Sequence, residues 1–540
     1  MKESLEFNLM RRFAIGDILY RTSKRYPNKE ALIFKEMRIT YDEFNNKVNR
    51  FANSLKKLGI KKGDRVAILS HNCPQFAIFL FSLAKLGAWA NPLNFMLKGE
   101  EIVYILNNSK AIAFFVEDKL VKNVNNIKNK IPHVKHFAFI KITDNAVYDT
   151  NFQNDWINFD DLCSDNFSDQ EPYTEISGDD VCTLMYTSGT EALPKGVMIT
   201  HLNWYGALLS SFSCPLHRHD DVISADIPLY HIACMDELFT GVAIGAKIVI
   251  HYDVNIQDIL KDIQKENITY IFYPSTFYLG LLQLQIENLD DYLNNIFTSL
   301  KTCISFGPNI PEPIAIRWMK KIVPHATWYN CYGQTELTSV GTWLVGEDIL
   351  KNYKNIHLGG PIGKPAITVE MKIVNDNEKE VKIGEVGEII ARTPTAMAGY
   401  YKDELKTEKT FHNGWIHTGD LGVMDEEGFF YFVDRKKDII KTGGENVSSL
   451  EVELYISNYF KVAEVAVFGI SDPYWGEAVT AVVVPRDTFT LSEIEIIDFC
   501  KESLAGYKVP KKVFISDEIP KNPSGKILKR ELRNIYMKQK

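Results

Sequence analysis

Apolar positions recur at helical spacing from Tyr41 to Leu58. The polar break Lys62-Gly63-Asp64 then gives way to Arg65-Val-Ala-Ile-Leu-Ser70, a short apolar run of the kind that forms a buried strand. A second helical pattern begins after Pro74 and runs to Lys85, and Ala88-Trp89-Ala90 follows as the next strand. This alternation is the βαβ rhythm of a parallel sheet with helices on both faces. It resumes in Ala246–His251 and Tyr270–Tyr273, the latter ended by Pro274.

From about Glu370 the texture changes to short strands divided by charged or glycine turns, as in Val369–Val374 and Gly387–Ala391, which predicts a small β subdomain over about 370–433. After Gly428–Val433 the polar run Asp434-Arg-Lys-Lys-Asp438 marks a boundary. Beyond it Val462–Gly469 and Glu477–Val484 supply strands and Leu491–Leu504 a helix, enough for an α+β domain. The expected architecture is a large N-terminal domain, 1–434, of parallel α/β sheets with a small β-barrel-like unit, followed by a C-terminal α+β domain, 435–540.

The chain has 540 residues, room for about three or four domain-sized units. A net charge of −8 provides no strong positive field to gather nucleic acid, so no nucleic-acid partner is expected. The eight cysteines are scattered singly, with no CxxC pair and no Cys/His cluster at zinc spacing, and read as reduced. Met1-Lys-Glu-Ser-Leu-Glu6 lacks the apolar run of a signal peptide. The most lipid-like segment, Phe76–Ala90, is interrupted by Lys85 and is shorter than the roughly 20 residues that span a bilayer. A cytoplasmic location without a transmembrane segment is the expectation.

Candidate chemistry begins at Tyr186-Thr-Ser-Gly-Thr-Glu-Ala-Leu-Pro-Lys-Gly196, which gathers backbone N–H groups, hydroxyls and an ammonium suited to a polyphosphate. It is not a Walker A loop, because Gly196 and Val197 follow Lys195 and leave no hydroxyl beside the lysine to hold magnesium. Further on lie Asn330-Cys-Tyr-Gly-Gln-Thr-Glu336, Gly414-Trp-Ile-His-Thr-Gly-Asp420, Asp434-Arg-Lys-Lys-Asp-Ile-Ile-Lys-Thr-Gly-Gly-Glu-Asn446 and Pro523-Ser-Gly-Lys-Ile527.

With these five motifs in this order, the chain resembles the adenylate-forming superfamily of acyl- and aryl-CoA synthetases, peptide-synthetase adenylation domains and luciferases, over nearly its whole length. The local runs His231-Ile-Ala-Cys234 and Phe432–Ser448 are similar to bacterial fatty-acid and carnitine-type CoA ligases. The resemblance implies an ATP-dependent, AMP-forming acid:CoA ligase that uses Mg2+ and coenzyme A, with a C-terminal domain that swings about Lys437. It implies a medium- or long-chain fatty acid as substrate. Two alternatives are a CoA ligase for a polar acid of carnitine type and a free-standing adenylation enzyme that loads a carrier protein's phosphopantetheine. A homodimer is compatible with each.

The same resemblance implies the site. Thr187, Ser188, Gly189, Thr190 and Lys195 would wrap the β- and γ-phosphates. Tyr332 would stack on adenine, with Gly307-Pro308-Asn309 on the other face. Thr335 would meet the α-phosphate, Glu336 the magnesium, and Asp420 and Arg435 the ribose. Lys526 would bridge the attacking carboxylate and the α-phosphate, Gly444 would border a pantetheine tunnel, and Lys441 would approach the adenylate. His231 would gate the acyl pocket. Local readings compete with these: a core position for Tyr332, a turn after glycine for Asp420, a satisfied buried ring for His231 and a solvated lysine near the terminus for Lys526.

One departure from the family pattern is Glu191-Ala192, which puts a carboxylate in the phosphate loop. In family members that activate amino acids an acid follows the position of His231; here it is Ile232, which disfavours an amino acid substrate. Asp236 is expected to be a cap or a solvent-facing acid, or else a hint of a polar substrate tail. Lys436 reads as a solvated linker residue, and Lys508, Lys511, Lys512, Lys529 and Arg530 as candidate contacts for the nucleotide of coenzyme A.

Overall fold

A computed structural model describes residues 4–142, 156–187, 193–215, 217–307, 310–486, 489–521 and 527–537. It contains two compact units. One comprises Met1–Gly346, Pro365–Glu370 and Arg392–Gly414, the other Glu347–Lys364, Met371–Ala391 and Trp415–Lys540.

In the first unit the predicted βαβ rhythm is realised twice. One sheet runs Gly399–Tyr400, Lys195–Thr200, Val181–Thr187, Trp89–Leu93, Arg65–Leu69, Ala113–Glu117, His136–Ile140, Ile157–Asn158, parallel from Val181–Thr187 onward and antiparallel before it. Helix Tyr41–Lys57 starts at a capping box, in which Thr40 and Glu43 satisfy each other's backbone N–H. Helix Pro74–Leu86 is buried on every side and ends at Gly87, whose φ of 66° permits the left-handed cap. Lys85, the break in that apolar run, is itself buried. Its ammonium donates to Asn45, Asn49 and Glu171 at 2.7–2.8 Å, and burial pulls its pKa down to about 8.

The other sheet of this unit places Glu30–Phe34, Lys247–Ile250, Val222–Ala225, Tyr270–Pro274, Thr302–Phe306 and Thr327–Gln334 in parallel, with Met37–Thr40 and Ser339–Val345 antiparallel at its ends. Crevices at the carboxyl ends of such strands are the usual place for a ligand site.

The second unit holds the three short strands predicted here together with two more, in the order Glu370–Val374, Gly387–Arg392, Trp415–Met424, Phe430–Arg435, Gly360–Pro365. Among the described residues they form an open sheet rather than the expected barrel-like unit, since the outer strands Glu370–Val374 and Gly360–Pro365 do not pair with each other to close it. The C-terminal strands Val462–Asp472 and Gly476–Pro485 pair antiparallel, with Lys512–Ile515 parallel to the latter. Their strict alternation feeds two cores. Val467, Val479 and Ala481 meet Val452, Ile456 and Ile496 on one face, and Phe468, Ile470 and Val482 meet Leu532 on the other. The α/β and α+β classes expected from the sequence are both present.

Candidate active site

Thr187 closes strand Val181–Thr187 and stands opposite Lys195 in the antiparallel ladder, so the two face each other where the chain enters and leaves 188–192. Ser188, Gly189, Thr190 and the Glu191-Ala192 departure lie outside the described residues, as do Pro308, Asn309 and Lys526. The Lys195 ammonium sits 5.8 Å from the centre of the Tyr400 ring. Tyr400 is held there because strand Gly399–Tyr400 pairs with Val197–Met198 and the Tyr401 N–H donates to Gly196 O at 2.7 Å. The Tyr400 hydroxyl donates to Glu336 Oε1 at 2.9 Å. Lys195, Tyr400 and Glu336, far apart in sequence, therefore form one line of contacts.

The segment Tyr332–Glu336 is shaped by backbone constraints. The pairing of Thr327–Gln334 with Ser339–Val345 slips between Tyr332 and Gly333. A Cβ on Gly333 would lie 1.7 Å from Ser339 O, so only glycine fits. Glu336 lies in a single 3-10 turn, Thr335–Leu337, followed by Thr338 and Ser339 at φ of 48° and 84°. Two successive non-glycine residues in the left-handed region store strain, of the sort that collects at functional sites. Thr338 Oγ1 offsets it by donating to Thr395 O at 2.6 Å, and the Met397 N–H donates to Glu336 O at 2.9 Å. Tyr332, Thr335 and Glu336 are half-buried.

On the acyl side, His231 is the N-cap of helix Ile232–Ile244. Its Nδ1 accepts from the Ala233 N–H at 3.2 Å, which leaves the proton of the neutral ring on Nε2. The ring lies 6.3 Å from Phe306, which contacts Phe272 at 4.8 Å, both near the carboxyl ends of their strands. Gly307 follows at φ 84°.

Asp236 is neither a cap nor solvent-facing. It is 1% exposed, because the helix is packed on all sides, and its Oδ2 accepts from Ser211 Oγ at 2.9 Å. Burial pushes its carboxyl up to about 6. Glu237, also buried, accepts from Tyr270 at 2.9 Å, and Asp236 Oδ1 and Glu237 Oε2 have no hydrogen-bond partner among the described residues.

In the second unit Asp420 and Arg435 face each other across the ladder of Trp415–Met424 and Phe430–Arg435, with Nε and Oδ1 3.9 Å apart. Burial, with Arg435 next, lowers the Lys437 pKa. Lys436 is exposed, as a solvated linker residue would be. It pairs with Asp376 at 3.0 Å and Glu388 at 3.2 Å, acids that the sequence reading did not connect to it.

Asp434 Oδ2 accepts from Ser449 N at 2.6 Å, Ser449 Oγ at 2.7 Å and Leu450 N at 3.2 Å, anchoring helix Ser449–Ser457. The Lys441 side chain is exposed and its N–H donates to Glu477 at 2.7 Å. Gly444 has φ 86°, and a Cβ there would meet nothing within 4 Å; the backbone conformation is what favours glycine in this structure. Two of the proposed coenzyme A lysines are spent internally, Lys508 on Glu451 at 2.6 Å and Lys529 on Glu453 at 2.8 Å.

Sequence reasoning did not single out Tyr400, Gly333 or the Thr338-Ser339 pair. Their roles depend on hairpin register, which no local motif reveals.

These features are those of an adenylate-forming enzyme. The family model described as AMP-binding enzyme matches residues 19–401, that described as AMP-binding enzyme C-terminal domain matches 451–526, and the chain belongs to this family. It is 30% identical over 510 residues to a 2-succinylbenzoate–CoA ligase of Bacillus cereus, covering 94% of this chain and 96% of the relative. It is 31% identical over 554 residues to a long-chain-fatty-acid–CoA ligase of Escherichia coli O157:H7, covering 98% and 96%. Among solved structures, the O-succinylbenzoate coenzyme A synthetase of Bacillus subtilis in complex with ATP and magnesium ion superposes with a TM-score of 0.80 at 29% identity, covering 96% and 99%. The protein is an AMP-forming acid:CoA ligase that uses ATP, Mg2+ and coenzyme A. Among the described residues no helix is long and apolar enough to cross a membrane.

Proposed function

We propose that this ligase activates a medium- or long-chain fatty acid. The observation that carries the reading is the wall beyond His231: Ile232 stands where a substrate ammonium would need a partner, Phe306 lies beside the gate ring and Phe272 packs against Phe306. The carboxylate oxygen attacks the α-phosphorus, the bond to the β-phosphate oxygen breaks and pyrophosphate leaves. The coenzyme A thiolate then attacks the acyl carbon, and AMP leaves with the oxygen of the broken bond.

In this reading Thr187 and Lys195 hold the outer phosphates with Ser188, Gly189 and Thr190. Tyr332 and Gly307, with Pro308 and Asn309, sandwich adenine, Asp420 and Arg435 hold the ribose, and Thr335 meets the α-phosphate. Lys526 neutralises charge as the adenylate forms, while Lys441 and Gly444 serve the second half-reaction. Glu336 suits magnesium, since its carboxylate is a hard oxygen donor oriented by the Tyr400 hydroxyl through Oε1. Bound there, the ion would neutralise charge on the departing phosphates.

A second reading, a polar acid of carnitine type, is favoured by Asp236. One helical turn after Ile232 it shares that residue's face, and with Glu237 it brings two buried acids that suit a cationic or hydrogen-bond-donating tail and repel a second carboxylate. Pyrophosphate release from a panel of fatty, aromatic, dicarboxylic and trimethylammonium acids, with and without coenzyme A, decides. A fatty acid with the highest kcat/KM supports the proposal, and a cationic acid ahead of it transfers the assignment to the second reading. Adenylate without acyl-CoA would point to a carrier protein as acceptor.

A further inference from the structure

Around the phosphate-loop lysine the first unit contains a cleft of about 320 Å³ whose other lining residues, Tyr400 apart, have no role above. It is lined by Tyr104 and Asn108 of helix Gly99–Ser109, by Leu193–Gly196 and by Tyr400–Asp403. Lys402 and the arginine behind it meet carbonyls rather than carboxylates. Lys402 Nζ donates to Asn108 O at 2.5 Å and lies 4.9 Å from the Tyr401 ring. Arg65 donates to the carbonyls of Ser109, Gly63 and Lys110 and stacks on Trp89.

Among the described residues none of Arg65, Lys110 and Lys402 forms an ion pair. Desolvation, then Lys110 and Arg65, lowers the Lys402 pKa, as expected of like charges crowded without a counterion. The acid in the lining, Asp403, is occupied: its Oδ1 accepts from the Lys406 N–H at 3.1 Å. Asn108 also ties the cleft to the phosphate loop, because its Oδ1 accepts from the hydroxyl of Tyr186, the residue before Thr187, at 2.5 Å.

We propose that this cleft binds pyrophosphate and receives the leaving group as the acyl-adenylate forms. The inference rests on the AMP-forming reaction, which produces one pyrophosphate per turnover. A compact polyanion suits the two lysines of the lining, Lys195 and Lys402, with Lys110 and Arg65 adding positive field, and a lining that includes Lys195 puts the site beside the loop that holds the outer phosphates.

Calorimetric titration of the full-length protein with magnesium pyrophosphate, in the absence of ATP and acid, tests the site without knowledge of the acyl substrate. Lys402 is exposed, so Lys402→Glu leaves packing intact, and Lys110→Glu tests the same field from a second position. Each is expected to weaken pyrophosphate about tenfold, the value of one lost charge-assisted contact, and ATP less than about twofold. Inorganic phosphate should bind the wild type more weakly than pyrophosphate. Unchanged pyrophosphate affinity in both variants, or an equal loss for ATP, overturns the proposal.

Discussion

The hydroxyl of Tyr400 donates to Glu336 Oε1 at 2.9 Å, joining the strand that borders the phosphate loop to the carboxylate proposed to hold magnesium. Tyr400→Phe keeps the ring against Lys195 and deletes one hydrogen bond, worth about 1 kcal/mol. Half-saturating Mg2+ in the pyrophosphate-release assay should rise about fivefold, and Glu336→Ala should lose activity at all Mg2+ concentrations. An unchanged Mg2+ profile in Tyr400→Phe would show that the contact does not position the carboxylate.

Lys526→Ala should lower pyrophosphate release at least about 10²-fold, the cost of removing a cation that stabilises charge in the transition state. Conversion of supplied acyl-adenylate to acyl-CoA should survive. Pyrophosphate exchange at the wild-type rate would remove Lys526 from the first half-reaction.

Gly333→Ala should be disruptive out of proportion to its size. The added methyl collides with Ser339 O, and the ladder must shift in a region already strained at Thr338 and Ser339. A loss of more than about 2 kcal/mol in chemical denaturation is expected, together with a raised KM for ATP. A wild-type denaturation midpoint would show that the bulge is free to relax.

Asp236 titrates at about 6 in the folded protein, above the ordinary carboxylate value, because burial penalises its charge. Its protonated form is favoured by folding, so this contribution to stability is complete at acid pH and is lost as pH rises through about 6. Asp236→Asn keeps an acceptor for Ser211 and should raise Tm at pH 7.5, with the gain shrinking towards pH 5. A gain independent of pH would assign the effect to packing. If the polar-acid reading holds, the same variant should lose cationic acids selectively.

Gly444→Leu should slow thioester formation and leave adenylation largely intact, the split expected when only the second half-reaction uses the pantetheine path. Gly444→Ala imposes the same backbone strain at φ 86° without the bulk. The difference between the two variants in single-turnover acyl transfer isolates the blocking effect; equal rates would leave strain as the whole cause.

The elements were legible in the chain wherever one physical signal dominated. The apolar run after Asp64 and the helix after Pro74 announce a buried parallel sheet, and the alternation in Val462–Gly469 announces a sheet covered on both faces. What could not be read was the result of register. Tyr400 is 64 positions from Glu336, and their meeting depends on which strand pairs with Lys195–Thr200. Lys436 is exposed as its sequence suggests, but its partners Asp376 and Glu388 are brought to it by the sheet and could not be read. The cap or solvent-facing reading of Asp236 fails because an acid in a helix suggests a surface, and the helix proves to be packed all round. The open β sheet differs from the expected barrel for a related reason: strand count and closure are properties of the assembled layer.

All eight cysteines are unpaired; seven are buried and Cys214 is partly covered. Burial pushes every thiol upward, Cys73 and Cys500 to about 12 and even Cys214 to about 11. For an enzyme whose second substrate is itself a thiol, this matters chemically. Disulfide exchange proceeds through thiolates that can be reached, and here they are scarce at neutral pH. Capping of this protein by oxidised coenzyme A is therefore disfavoured at its cysteines, most of all at the seven that are buried.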